Sequence, residues 1–298
     1  MTFSSFHNRF KELSKPLDRI ETVTMPRLQR LEGIQVIAYD FYGTLFISGV
    51  GDIGVDDGNP DEEILSEAMS AAGIEIKNSA AAMKGFQHYN KVVEKIVSEL
   101  KNSGIEYPEP DIRQVWKEVL HTMESNHLIA KQNGEELFDT IAIEFEARMN
   151  PVWPMPNVTE TLHHFKNEGY TQGIISNSQF YTPIVLEALT GQSLNELGFS
   201  EELLHWSYVE EMKKPGILFY ENYLKKLRQF NEDLNPKHVL YIGNDMLKDI
   251  YPAQKVGMKT ALFAGDARSL KWRKEDSRCN KILPDLIITD LSQLTDCI

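Results

Sequence analysis

Four short segments of the chain carry polar side chains beside apolar stretches. These side chains are Asp40 after IQVIAY, Ser176 and Asn177 after YTQGII, Lys214 before PGILFY, and Asp245 and Asp249 after VLYIG. Ligands of parallel α/β sheets bind at the carboxyl ends of the strands, so we expect these side chains to meet at one site. A carboxylate, a hydroxyl, a lysine and paired acids together suit nucleophilic displacement at a charged centre.

Asp40 is the candidate nucleophile. A carboxylate forms a covalent ester with the transferred group, which divides one difficult displacement into two easier steps. Lys214 can neutralise charge as a point cation, and Ser176 can donate a hydrogen bond to a transferring group. Gly43 frees the backbone just after the nucleophile, and Thr44 offers a hydroxyl close by.

Asp245 and Asp249 are candidate metal ligands. Mg²⁺ takes one or two protein carboxylates and keeps several waters, so these hard oxygen ligands predict a magnesium site. Asn244 is the alternative ligand, with a neutral and weaker amide oxygen, but the acid pair separated by three residues favours Asp245. Asp249 can instead orient a ligand without touching the metal.

The elements that position these residues alternate between strands and helices. This order predicts a doubly wound α/β core with a parallel, Rossmann-like sheet over residues 34–58 and 151–298. Residues 59–150 repeat apolar positions at helical spacing without a strong strand, which predicts an inserted all-helical cap domain. Residues 1–33 predict an N-terminal extension with a short amphipathic helix around Phe3 to Leu13.

Charge, apolar patterning and cysteine content narrow the class of protein. The 298-residue chain has a net charge of −13, which argues against a nucleic-acid partner because phosphate backbones select basic faces. The sequence has no apolar run of the roughly 18 residues that a membrane span needs, so no membrane partner is expected. The polar N-terminus favours a cytoplasmic location. Cys279 and Cys297 have no disulfide or metal-ligand spacing and are expected to be reduced thiols.

The four segments, in this order, resemble the motifs of the haloacid dehalogenase-like hydrolase superfamily. Those motifs are a strand ending D-x-x-G-T, a strand ending in serine or threonine, a lysine before a helix, and a strand followed by acids. Here they are YDFYGTLF, GIISNS, KKPGILF and YIGNDMLKD, and the resemblance spans residues 34–295. It implies a hydrolase, usually magnesium-dependent, that acts on phosphate esters, with a small phosphorylated metabolite as the substrate.

The resemblance also implies roles for individual residues. It implies an aspartyl-phosphate at Asp40, with Lys214 and Ser176 as further catalytic residues. The metal ligands that it implies are Asp40, Tyr42 through its backbone carbonyl, Asp245 and Asp249. Gly43, Thr44 and Asn177 are the expected substrate-binding residues.

Tyr42 departs from the pattern of the phosphatases in this superfamily. Those enzymes normally have an aspartate there, which protonates the leaving oxygen and later deprotonates water. A phenol with a pKa near 10 is a poor base at neutral pH. Tyrosine here is similar to the metal-independent 2-haloacid dehalogenases, so dehalogenation is an alternative function. That chemistry, as the resemblance implies, needs an arginine early in the cap, whereas the first arginine after Asp40 is Arg113.

The missing proton donor has three explanations. The leaving group can be a good one, such as that of an acyl phosphate, for which protonation matters less. Another side chain can supply the acid, from the cap or from Asp52, Asp56 or Asp57 in the glycine-rich loop. Alternatively, the protein is a catalytically weak binder of a phosphorylated ligand, although loss of general acid help, worth about 10²–10⁴-fold, slows such an enzyme without abolishing it.

Overall fold

The structure is a computed structural model that describes residues 3–50, 62–132 and 134–298. It contains a parallel sheet flanked by helices, with further helices between the first and second strands of that sheet. This confirms the predicted α/β class. The candidate acids of the glycine-rich loop, Asp52, Asp56 and Asp57, lie outside the described residues.

The strands form one large sheet and one small one. Along the chain they are β1 (Val36–Tyr39), β2 (Phe46–Ser48), β3 (Val152–Pro154), β4 (Thr171–Ser176), β5 (Phe199–Trp206), β6 (Val239–Gly243), β7 (Lys259–Phe263) and β8 (Leu286–Ile288). The large sheet is parallel, in the order β5-β4-β1-β6-β7-β8. Every residue of β1 and β6 is buried, because helices cover both faces of such a sheet.

β1 lies where the strand order reverses. β4 and β5 extend the sheet on one side of β1, and β6, β7 and β8 extend it on the other. Tyr39, the last residue of β1, is aligned with Ile174 of β4 and Ile242 of β6. Asp40 therefore leaves the sheet at the topological switch point, where doubly wound folds bind their ligands.

The helices surround the sheet and fill the inserted block. Along the chain they are α1 (Phe3–Leu13), α2 (Glu62–Ala71), α3 (Ala81–Asn102), α4 (Ile112–Ser125), α5 (Glu136–Met149), α6 (Val158–Asn167), α7 (Thr182–Thr190), α8 (Ser207–Glu210), α9 (Ile217–Phe230) and α10 (Tyr251–Lys255). A π-helical turn over Met246–Ile250 precedes α10. Among the helices described, none has both the length and the apolar content that crossing a bilayer requires.

Helices α2 to α5 occupy the predicted helical block, where they pack around Trp116 and Phe145. The block is joined to the sheet by β2 and β3, which pair antiparallel. The glycine-rich segment after β1 predicts a flexible loop or a tight hairpin, and most of it, residues 51–60, lies outside the described residues. β2, at the start of this segment, pairs with a strand about a hundred residues farther along the chain. A local pattern carries no signal for so distant a partner. The domain boundaries at residues 58/59 and 150/151 stay a prediction.

The strand between α7 and α9 is misplaced by sequence reasoning. The pattern predicts a short strand near HWSYVEE, whereas β5 begins six residues earlier at Phe199 and ends at Trp206. β5 is an edge strand in which Glu201 and Glu202 are exposed, so it lacks the continuous apolar run of the central strands.

The N-terminal extension is docked on the rest of the protein. α1 forms at the predicted position and packs against α5 and α7. Phe10 is only 1% exposed and lies against Tyr181, and the Arg9 Nε donates to Glu144 on α5 at 2.6 Å. Farther along, Arg27 adds an antiparallel bridge to Ile287 on the edge strand β8. The extension is therefore part of the packed structure.

Replacing Phe10 by alanine tests this docking. We expect Phe10→Ala to lower the free energy of unfolding by about 3–5 kcal/mol, because it removes a buried aromatic side chain. Val23→Ala is the matched control, since Val23 is fully exposed and such changes stay within about 0.5 kcal/mol. Chemical denaturation of both variants measures the difference, and equal midpoints would contradict a docked α1.

Candidate active site

Asp40 is a buried carboxylate with three donors on one oxygen. The Ser176 Oγ donates at 2.8 Å, the Phe41 backbone N–H donates at 2.8 Å and the Lys214 Nζ lies at 2.7 Å, all from Asp40 Oδ1. The side chain of Asp40 is held in place by these contacts. Within the described residues Asp40 Oδ2 has no protein donor.

Lys214 is the buried cation of the site. It is 3% exposed, and its Nζ lies 2.7 Å from Asp40 and 2.6 Å from Asp249, with the Tyr241 hydroxyl at 3.2 Å. Burial disfavours the ammonium form, but the carboxylates of Asp249 and Asp40 outweigh burial and raise the pKa of Lys214. Lys214 therefore stays protonated, and its positive charge offsets the charges of Asp40 and Asp249.

Asp249 completes this buried cluster. Its Oδ1 accepts from Lys214 and from the Tyr241 hydroxyl, and its Oδ2 accepts from the Asp245 backbone N–H at 2.9 Å. Burial raises the pKa of Asp249, while Lys214 opposes that shift. Gly243 leaves room for Asp249, because a Cβ at position 243 would overlap the Asp249 side chain. The contacts make Asp249 an anchor for Lys214, and direct metal binding by Asp249 stays a prediction.

Asn177 holds the backbone that carries Lys214. The Lys214 N–H donates to Asn177 Oδ1 at 2.8 Å, and Asn177 Nδ2 donates to the Lys214 carbonyl at 3.3 Å. These contacts join the end of β4 to the segment before α9, next to Asp40. The sequence predicts that Asn177 lies at the site, but it does not predict this contact with Lys214. The substrate-binding role of Asn177 stays a prediction.

The loop after Asp40 is packed against Asn244. Gly43 has φ of +81°, and a Cβ there would lie 2.7 Å from Ser269 Cβ and 2.9 Å from Asn244 Cγ, which only glycine avoids. The Thr44 hydroxyl donates to Asn244 Oδ1 at 3.1 Å, and Asn244 Nδ2 donates to the Ser269 carbonyl at 2.7 Å. The amide of Asn244 therefore lies beside the loop that follows Asp40.

The carboxylate of Asp245 is bound by Arg273 and by two backbone N–H groups. The Arg273 guanidinium donates to both carboxylate oxygens, at 2.7 Å from Nη2 and at 3.1 and 3.2 Å from Nε. Asp245 Oδ1 also accepts from the backbone N–H groups of Leu247 and Lys248, which caps the following π-helical turn. A role for Asp245 in metal binding stays a prediction, and sequence reasoning gives no sign of Arg273, which lies 28 residues farther along the chain.

The oxygen atoms near Asp40 are suitable ligands for Mg²⁺, with a carboxylate and an amide among them. In the parts of the chain that the structure describes, no three or more Asp, Glu, His or Cys side chains lie close enough together to bind one metal ion. Mg²⁺ does not need such a group, because one or two carboxylates with carbonyl oxygens and waters satisfy it. Asp40 Oδ2 and the amide oxygen of Asn244 are donors of this kind.

The contacts and the pKa of Tyr42 do not suit it for acid-base catalysis. Its hydroxyl lies 3.1 Å from Thr182 Oγ1, and its ring packs edge-on against Phe41 at 4.8 Å. Burial, reinforced by the charges of Glu146 and Asp40, raises the pKa of Tyr42 well above its ordinary value. The phenol stays neutral, so it cannot serve as a base at neutral pH.

The cap is fastened to the core beside the site. Gln179 Nε2 donates to Glu109 Oε1 and to the Pro110 carbonyl, both at 3.0 Å, and Gln179 Oε1 accepts from the Ile112 N–H at 3.0 Å. Lys213, the neighbour of Lys214, lies 3.4 Å from Glu109 Oε2. The loop between α3 and α4 therefore covers the carboxyl end of β4, a contact that the sequence does not signal.

Comparison with known proteins agrees with this geometry. The sequence profile of the haloacid dehalogenase-like hydrolases matches residues 88–263, which is more than half of the chain. The chain belongs to this family. The family assignment, and with it the hydrolase class, confirms the resemblance seen in the four motifs.

Similar individual proteins include hydrolases of two kinds. The chain is 28% identical over 177 residues to a glyceraldehyde 3-phosphate phosphatase of Pyrococcus furiosus, covering 53% of this chain and 67% of that protein. It is 28% identical over 146 residues to a protein of the same name from Methanothermobacter thermautotrophicus, covering 48% of this chain and 58% of that protein. The crystal structure of a 2-haloacid dehalogenase from Pseudomonas syringae matches with a TM-score of 0.52 and 18% identity, covering 88% and 97% of the chains. At that identity the structural likeness concerns the fold alone.

Removing the buried cation is expected to destabilise the protein. Lys214→Met leaves Asp40 and Asp249 buried without a positive charge, which costs about 3–5 kcal/mol of unfolding free energy. The loss is expected to shrink as the pH falls below about 7, because burial raises the pKa of Asp249 to about 7 and the protonated Asp249 carboxyl no longer needs a cation.

Lys226→Met is the matched control for this experiment. Lys226 pairs with Glu210 at 2.7 Å, but its side chain is 30% exposed, so its loss costs about 1 kcal/mol or less. Denaturant unfolding of both variants at several pH values gives the comparison. Equal losses, or a Lys214→Met deficit that grows on acidification, would contradict a buried ion cluster.

Proposed function

We propose that this protein is a magnesium-dependent phosphatase that hydrolyses a small phosphorylated metabolite through an aspartyl-phosphate at Asp40. The observation that carries the proposal is the buried Asp40 with Oδ1 held by Lys214 and Ser176 and Oδ2 left for reaction. The names of the two curated relatives support a small phosphorylated substrate.

The proposed reaction has two displacements at phosphorus. In the first, Asp40 Oδ2 forms a bond to phosphorus while the ester P–O bond breaks and the alcohol leaves. In the second, water attacks phosphorus, the bond to Asp40 breaks and phosphate is released. Lys214 offsets the repulsion between carboxylate and phosphate, and Ser176 keeps the nucleophile oriented.

Mg²⁺ would be held by Asp40, by the backbone carbonyl of Tyr42 and by an oxygen of the Asn244-Asp245 pair. When bound, it supplies positive charge between the two anions. We propose Asn244 as the side chain of that pair that faces the cation, because Asp245 is engaged by Arg273.

Replacing the nucleophile tests the reaction. Asp40→Asn is expected to lower kcat/KM on phosphate esters and acyl phosphates by about 10⁴-fold or more, because an amide cannot form the covalent intermediate. Wild-type turnover is expected to stop with a chelator and to return with Mg²⁺. Turnover that survives either change would contradict the proposal, as would metal-independent halide release from 2-chloropropionate.

The pair at 244–245 can be tested through the magnesium requirement. Asn244→Ala is expected to raise the Mg²⁺ concentration for half-maximal activity by about 10–100-fold, as loss of a ligand or its support typically does. Asp245→Asn is expected to change it little, because asparagine can still cap the following turn. A larger effect of Asp245→Asn would identify Asp245 as the ligand instead.

A further inference from the structure

The N-terminal extension contacts the loop that follows β7, residues 264–271, which we call the β7 loop. The Ala267 N–H donates to the Ile20 carbonyl at 2.7 Å. The Thr22 hydroxyl donates to the Ala264 carbonyl, also at 2.7 Å. The extension therefore binds the backbone of this loop at two points.

Asp266 holds the β7 loop in a closed turn. It is 1% exposed, its Oδ1 accepts from the Arg268 N–H at 3.0 Å, and its Oδ2 accepts from the Arg268 guanidinium at 2.9 Å. The Asp266 carbonyl accepts from the N–H groups of Ser269 and Leu270, at 3.3 and 3.0 Å. The extension adds a contact from outside, because the Ile20 N–H donates to Asp266 Oδ1 at 3.4 Å. The turn that carries Ser269 is therefore fixed both by Asp266 and by the extension.

Ser269 is the point where the β7 loop meets the candidate active site. It is 1% exposed, its hydroxyl donates to the Gly43 carbonyl at 3.2 Å, and its own carbonyl accepts from Asn244 Nδ2 at 2.7 Å. The other end of the amide, Asn244 Oδ1, accepts from the Thr44 hydroxyl at 3.1 Å. One residue of the β7 loop thus contacts both the backbone after Asp40 and the side chain proposed as a magnesium ligand.

The contact with Ser269 sets which way the Asn244 amide faces. An amide binds a cation only through its oxygen, because its nitrogen has no free acceptor site. The Ser269 carbonyl accepts from the nitrogen, so the oxygen is directed towards the loop that follows Asp40. The backbone of Asn244 is held as well, since the Lys271 N–H donates to its carbonyl at 3.0 Å.

We propose that the N-terminal extension positions the magnesium ligand Asn244 through the β7 loop. This inference rests on the proposed function. Residues 18–22 hold the turn at Asp266, the turn places the Ser269 carbonyl, and this carbonyl orients the Asn244 amide. Asp266 and Ser269 are positioning residues, because they act through Asn244 and touch no reacting atom. An extension displaced from the β7 loop leaves Asn244 free to rotate, and the affinity for Mg²⁺ falls.

Thr22→Val tests this connection without altering the β7 loop or the site. Valine has the shape of threonine but cannot donate to the Ala264 carbonyl. We expect the Mg²⁺ dissociation constant, measured by isothermal titration calorimetry, to rise by about 2–30-fold, as for changes within a coupled network. Thr24→Val is the matched control. Thr24 contacts Thr22 through its backbone N–H, and its hydroxyl makes no hydrogen bond to the β7 loop among the described residues.

Adding Asn244→Ala separates positioning from a general loss of stability. Since the extension is proposed to act through Asn244, Thr22→Val is expected to change the dissociation constant of Asn244→Ala by less than about twofold. Equal constants for Thr22→Val and the wild type would overturn the inference, and so would a full additional loss in the double variant. A wild-type protein that neither binds Mg²⁺ nor hydrolyses phosphate esters would instead count against the proposed function.

Amide hydrogen exchange gives a second measurement that needs no substitution. Coupling between two sites is reciprocal, so binding of Mg²⁺ must stabilise the docked extension if docking favours binding. We expect Mg²⁺ to slow exchange at Ile20 and Ala267 by about 2–30-fold. The control is Leu31, whose N–H donates to the Cys297 carbonyl and is expected to exchange at an unchanged rate. Exchange at Ile20 and Ala267 that is insensitive to Mg²⁺ would overturn the inference.

Discussion

The ion cluster of Lys214 with Asp40 and Asp249 is the constraint on which the rest of the site depends. A lysine that is 3% exposed is tolerated only because two carboxylates and the Tyr241 hydroxyl surround its ammonium group. Each partner comes from a different part of the sheet edge, so the cluster forms only when β1, β6 and the segment before α9 are correctly aligned. The position of Asp40 therefore depends on the register of the core strands.

The neighbouring contacts serve this cluster. Asn177 fixes the backbone of Lys214, and Gly243 leaves the space that Asp249 fills. Asn244 packs against Gly43 and Thr44 in the loop after Asp40, while Arg273 binds the Asp245 carboxylate. The two residues after β6 therefore make different contacts. The Asn244 amide lies against the loop after Asp40, and Asp245 caps the turn that carries Asp249.

The cap is fastened to the core close to the ion cluster. The loop between α3 and α4 contacts Gln179 and Lys213, next to Lys214. α1 contacts both α5 and α7, so the extension ties the cap helix to the core.

The sequence by itself determined the α/β class, the inserted helices, the helix at the N-terminus and the family, because these follow from periodicity and from four ordered motifs. It also brought Asp40, Ser176, Lys214 and the acids after β6 to one sheet edge, since the ends of parallel strands meet there. Only the tertiary structure decided which contacts these side chains make. The pairing of β2 with β3, the Arg273 contact to Asp245 and the contact of Tyr42 with Thr182 join residues that are 28 or more positions apart. Such contacts depend on how whole elements pack, and local residue patterns carry no record of that packing.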